Sequence, residues 1–151
     1  MRIRYLHLPA GSEPPVIGQD GPFKAVLVIE QDAEEAWRDR IGDWLITSGC
    51  LYMMAWGQQA VEWHDSVDWA LLTIHDFNEV PDDEHVMTTW HDDESLAEVF
   101  RFAGHAAWHA TVSLDEIWII DISENERKRL MLEDYAAARD SELSEPIQLS
   151  L

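Results

Sequence analysis

Five carboxylates, one imidazole and two indoles stand directly after four short apolar runs of this chain. They occur in Glu30-Gln31-Asp32, Trp56-Gly57-Gln58, Trp90-His91-Asp92-Asp93 and Asp121-Ile122-Ser123. If those runs are parallel strands, the four segments gather at one end of a sheet, where open α/β folds bind ligands. Carboxylates in such a place suit a hard cation. Glu30, Asp92, Asp93 and Asp121 could ligate Mg2+ or another divalent cation, which takes carboxylate oxygens and keeps waters for a phosphate substrate. His91 would then serve as general acid or base. A structural explanation competes. Acids favour helix N-termini by about 0.5–2 kcal/mol per cap, and with 30 acidic residues in 151, clusters arise without selection for a site. A phosphate would also find few cations. No glycine-rich loop follows any apolar run, the only lysines are Lys24 and Lys128, and no lysine or arginine stands at an expected strand end.

Other chemistry has less behind it. His105 and His109 have the i, i+4 spacing of a helical metal pair, but no third ligand is evident. No G-x-S-x-G elbow is present. Cys50, the single cysteine, opens an apolar run and reads as a small buried hydrophobe. The triplet Trp-His-Asp occurs at Trp63–Asp65 and again at Trp90–Asp92. Trp56, Trp63, Trp90, His91, Asp92 and Asp93 could therefore form an aromatic and acidic binding patch, since tryptophan is enriched in binding hot spots. Against this, tryptophan is usually largely buried, and Trp63 and Trp90 could pack the core.

The elements that must position these residues alternate. RIRYLHL over 2–8 reads as a strand, followed by a proline- and glycine-rich loop to Pro22. KAVLVIE, CLYMMAW, HVMTTW and EIWIIDI read as strands buried on both faces. Asp32 with Glu35, Ser95 with Glu98 and Ser123 with Glu126 have capping-box spacing and open three helices. Residues 58–75 follow helical spacing, and Gly49 suits a left-handed C-cap. Strand–helix alternation implies a small three-layer α/β/α sandwich, Rossmann-like or flavodoxin-like, with a mainly parallel sheet of four to five strands. Residues 1–151 form one domain, with 1–22 an N-terminal strand and loop and 141–151 a loose tail.

Composition narrows the function classes. A formal net charge of −20 repels nucleic acid, anionic lipid and phosphate-rich substrates, and attracts basic proteins. A hydrophobic content of 46% excludes a disordered acidic tail. No apolar run reaches the length of a membrane span, and the N-terminal apolar segment is too short for a secretory signal. One cysteine suits a reducing compartment, so a cytoplasmic location is expected.

The segments CLYMMAWG and VMTTWHDDESLAEVFRFA resemble those of a bacterial domain family of unknown function, over roughly residues 23–123. The resemblance implies bacterial origin and importance for Trp56, Trp90, His91, Asp92 and Asp93. It brings no activity with it. The acids also resemble in part those of Toprim folds, but Gln31 stands where a glycine should follow the first acid, and Asp92-Asp93 are adjacent rather than spaced. The expected function is an acidic protein-binding module, not an enzyme, in its concrete form an immunity-type inhibitor that neutralises a basic partner. The alternative is a small divalent-metal-dependent enzyme or sensor.

Overall fold

The computed structural model describes residues 1–141. Its order is β1 (Arg2–His7), β2 (Phe23–Ile29), α1 (Glu35–Thr47), β3 (Cys50–Gly57), α2 (Ala60–Ile74), β4 (Met87–His91), α3 (Leu96–His105), β5 (Glu116–Ile122) and α4 (Lys128–Ser141). The five strands form one sheet in the order β1-β5-β2-β3-β4, and every pairing is parallel. The expected three-layer sandwich is present, and its sheet is wholly parallel.

Side-chain alternation sorts the two layers. Ala25, Leu27 and Ile29 of β2 pack with Trp37, Ile41 and Leu45 of α1 and with Trp63 and Val67 of α2. Val26 and Val28 point the other way, against Val99, Phe100 and Ala103 of α3 and Met131 and Tyr135 of α4. β2 and β5 are buried at every position, as strands flanked and covered on both sides must be. The β1–β2 crossover has no helix. Its loop lies over the α1 layer, where the Trp37 and Trp44 indoles donate to the carbonyls of Ser12 (2.9 Å) and Pro15 (2.7 Å).

Helix starts are only partly as expected. Ser95 and Glu98 form a complete capping box on α3. Asp32 caps nothing, because α1 begins at Glu35 with Glu34 as N-cap, and the Gln59 side chain takes the nearby Ala33 N–H at 2.8 Å. Ser123 donates to the Asn125 carbonyl instead of capping, and α4 begins only at Lys128. Gly49 does adopt a left-handed conformation, with φ of 102°. The run containing β4 is an edge strand rather than a buried one, with Met87 and Trp90 exposed. His105 ends α3 and His109 lies beyond it, so the two share no helix face; their rings bond to the carbonyls of Arg139 and His85 respectively. Of the expected loose tail, residues 142–151 lie outside the described residues. Among the described residues no helix is long and apolar enough to cross a membrane.

Candidate functional site

After β2 the chain turns to the α1 layer, and after β5 it turns to the opposite layer. The ends of these neighbouring strands therefore splay apart and leave a crevice, the usual ligand position in such a sheet. A cavity of about 280 Å³ lies there, bounded by Glu30, Gln31, Ser123, Glu124, Asn125 and Arg127. Arg127 separates it from Asp121, whose carboxylate is fully buried. The guanidinium grips that carboxylate with Nη2 at 2.6 Å from Oδ1 and Nε at 3.1 Å from Oδ2. The Tyr5 hydroxyl donates to Oδ2 at 2.7 Å and accepts the Arg127 backbone N–H at 2.9 Å. Arg127 Nη1 closes the network on Glu30.

Electrostatics follow from these contacts. Burial, and then the bond to Asp121, raise the Tyr5 pKa above its ordinary value. The hydrogen bonds that Arg127 donates to Asp121 raise the pKa of the guanidinium. The crevice thus holds one guanidinium committed to two carboxylates, tying β1, β2, β5 and the start of α4 together. It is a strut between strand ends.

The acids expected to bind metal do not converge. Glu30 and Asp121 are joined through Arg127, while Asp92 and Asp93 follow β4 at the far edge and are exposed. Three strand spacings of ~4.8 Å separate β5 from β4, roughly 14 Å. Among the described residues no three His, Cys, Asp or Glu side chains could hold a metal ion together.

The expected aromatic patch divides. Trp63 is fully buried and meets Trp37 edge-on, with ring centroids 5.7 Å apart, so it belongs to the core. Trp56 is partly buried, and its indole donates to the Glu94 carbonyl at 2.8 Å. His91 is buried between Thr89 (2.8 Å) and Glu94 (2.7 Å). These two hold the β4–α3 turn in place. Gly57 has a related duty. At its φ of 104° a Cβ would lie 2.3 Å from the Ile29 carbonyl oxygen, so only glycine lets the chain leave β3 here.

Trp90 remains at the surface, 47% exposed, with Asp92 and Asp93 beside it. The His64 ring of α2 stacks on it edge-on at 4.7 Å. His64 also contacts Asp68 at 3.2 Å, and Asp68 accepts from Thr88 of β4 at 2.7 Å. Val61, Asp65, Asp68 and Leu72 recur along one stripe of α2, joining this contact to its outer face. Trp69 on that face is 56% exposed and packs edge-on against exposed Phe77 at 5.4 Å. The free edge of the sheet and the outer face of α2 therefore carry large apolar side chains among acids. The spacing of Trp69 and Phe77 carried no motif. A plainer signal was available: residues 41–100 contain thirteen acids and none of the ten lysines and arginines. That stretch folds into the second half of α1, β3, α2, β4 and the start of α3, so α2 and β4 themselves bring no lysine or arginine to their edge, and Arg38 of α1 is the cation that borders it beside Asp65 and Trp69.

No curated protein and no solved structure matches this chain. The family model of a domain of unknown function, DUF7684, matches residues 3–138, which covers all of the five strands but Arg2 and most of α4. The chain belongs to the DUF7684 family.

Proposed function

We propose that this protein is an acidic protein-binding module that engages a basic partner protein through the α2–β4 edge. The observation that supports the reading is the coincidence of exposed Trp69, Phe77, Met87 and Trp90 with a stretch, 41–100, that has no lysine or arginine. Exposed apolar groups of this size mark interaction surfaces. Aromatic anchors supply affinity once desolvated. The surrounding acids favour a positively charged partner, speed its encounter and reject nucleic acid. An immunity-type inhibitor of a basic enzyme in the bacterial cytoplasm is the concrete form. The single buried cysteine fits that compartment.

The test is retention of a partner from native cells by the tagged protein at low salt, followed by reconstitution from purified components. The expected result is a basic protein that binds the wild type saturably, is released by salt and binds Trp90→Ala at least tenfold more weakly. A partner that is acidic, or one indifferent to both salt and Trp90→Ala, would overturn the reading.

A further inference from the structure

Beyond the partner-binding edge, at the opposite ends of the strands, the structure assigns a second site: a pocket for a small organic monocarboxylate with a flat apolar body. The cavity measures about 600 Å³, within the range of small-molecule sites. Lys24, His105, Trp108, His109, Thr111 and Ser113 line it, with no aspartate or glutamate among the lining residues. In a chain with 30 acids, such a lining sets this concavity apart from the rest of the surface.

Lys24 provides the charge. It lies at the start of β2, on the face covered by α3, and is only 4% exposed. Its Nζ donates to the Ala107 carbonyl at 3.3 Å, and no carboxylate lies within ion-pair distance among the described residues. An ammonium has three donors, so two remain for a ligand at the cavity. The Ala107 bond lets Lys24 serve the carbonyl end of α3, yet a surface lysine could do that without burial. Withdrawal from water disfavours the charged amine and lowers its pKa. An anion at Nζ reverses that cost.

The two histidines of the lining are each held by a carbonyl of the surrounding chain. His109 Nε2 bonds the His85 carbonyl at 2.7 Å, while Nδ1 accepts from the backbone N–H groups of Thr111 and Val112. That ring is used up by the loop. His105 Nε2 is likewise engaged, with the Arg139 carbonyl at 3.1 Å. Lys24 is the one lysine or arginine in the lining, a single cationic side chain suited to a carboxylate rather than a phosphate dianion.

Trp108 supplies the apolar half. It is 77% exposed, yet its Nε1 donates to the His105 carbonyl at 2.9 Å. An exposed indole held in one orientation presents a ready stacking face, at little entropic cost to the ligand.

The test uses 2-naphthoate and its uncharged isostere 2-naphthamide, titrated calorimetrically into the full chain. The wild type is expected to bind one naphthoate saturably, and naphthamide at least tenfold more weakly. Lys24→Met, confirmed folded by circular dichroism, should bring the two ligands to equal affinity, and Trp108→Ala should weaken both. Should Lys24→Met fail to fold, amide chemical-shift changes in the wild type decide: on naphthoate addition they should map to residues 104–114. Absence of saturable binding, a charge preference unaltered in folded Lys24→Met, or shifts confined to another part of the chain overturns the site. Partner retention plays no part in this test, so the two proposals fail separately.

Discussion

Arg127 and Asp121 stand six residues apart and meet side-on, through Nη2–Oδ1 at 2.6 Å and Nε–Oδ2 at 3.1 Å, over a carboxylate with no exposure to solvent. The pair is the keystone of the strand ends, because Arg127 also reaches Glu30 and Tyr5 reaches both partners. Removing one member strands the other. Arg127→Met leaves Asp121 buried with only the Tyr5 hydroxyl, and a broken buried pair costs about 3–5 kcal/mol. Urea unfolding should show a loss of about 3 kcal/mol for Arg127→Met, and a much smaller loss for the double variant Arg127→Met/Asp121→Leu. Equal losses would mean the guanidinium acts through its packing alone.

Trp63 and Trp90 begin identical triplets and have opposite roles. Trp63→Ala empties a fully enclosed site beside Trp37, so it should cost about 3–5 kcal/mol. Trp90→Ala removes a ring that is 47% exposed and touches His64 from outside. Thermal unfolding should register at most about 1 kcal/mol for it, while partner affinity falls at least tenfold. A Trp90→Ala variant that melts as early as Trp63→Ala would place Trp90 in the core.

The contrast explains what sequence spacing could reach. Local periodicity located all four helices and all five strands, because apolar runs and helical stripes are local properties. Of three capping-box spacings only Ser95–Glu98 became a cap. The other two lost to groups distant in sequence: Gln59 takes the Ala33 amide, and Asp121 with Tyr5 holds Arg127 so that α4 starts late. The same distance hid the candidate site. Strand-end acids were visible, but not that β5 lies between β1 and β2, which joins Glu30 to Asp121 and sends Asp92 and Asp93 to the far edge. HVMTTW carries His85, Thr88 and Thr89 and is less apolar than the run of β2, but its place at the edge follows from the strand order.

Cys50 is 1% exposed, and burial pushes its thiol pKa up to about 12. The folded protein keeps the thiol protonated where the unfolded chain, with an ordinary value of 9.0, has lost the proton. A pKa raised by folding gives stability that is complete below 9.0 and is lost as pH rises toward about 12. Two results are expected. Disulfide-exchange reagents should label Cys50 only at the rate of unfolding. Alkaline destabilisation should be shallower in Cys50→Ala than in the wild type. Rapid labelling of the native protein would show that the start of β3 opens locally.

The charge distribution makes the last prediction. Thirteen acids in residues 41–100 have no lysine or arginine in that stretch to balance them, so folding brings like charges together on one end of the molecule. Their repulsion acts across solvent and is therefore open to screening, unlike the buried Arg127–Asp121 pair. Raising sodium chloride from about 0.01 M to about 1 M shortens the screening length from ~30 Å to ~3 Å. The melting temperature should rise by about 4 °C, equivalent to roughly 1–2 kcal/mol for a chain of this size. The double variant Asp65→Asn/Asp68→Asn should give part of that gain at low salt and none at high salt. The amide introduced by Asp68→Asn can still accept from Thr88, so the contact between α2 and β4 is kept. Because the same salt releases a basic partner, stability and partner affinity should move in opposite directions along one titration. A melting temperature that falls as salt is added would mean that attractive pairs, such as Arg2 and Arg4 with Asp20 and Glu116, outweigh the acidic edge.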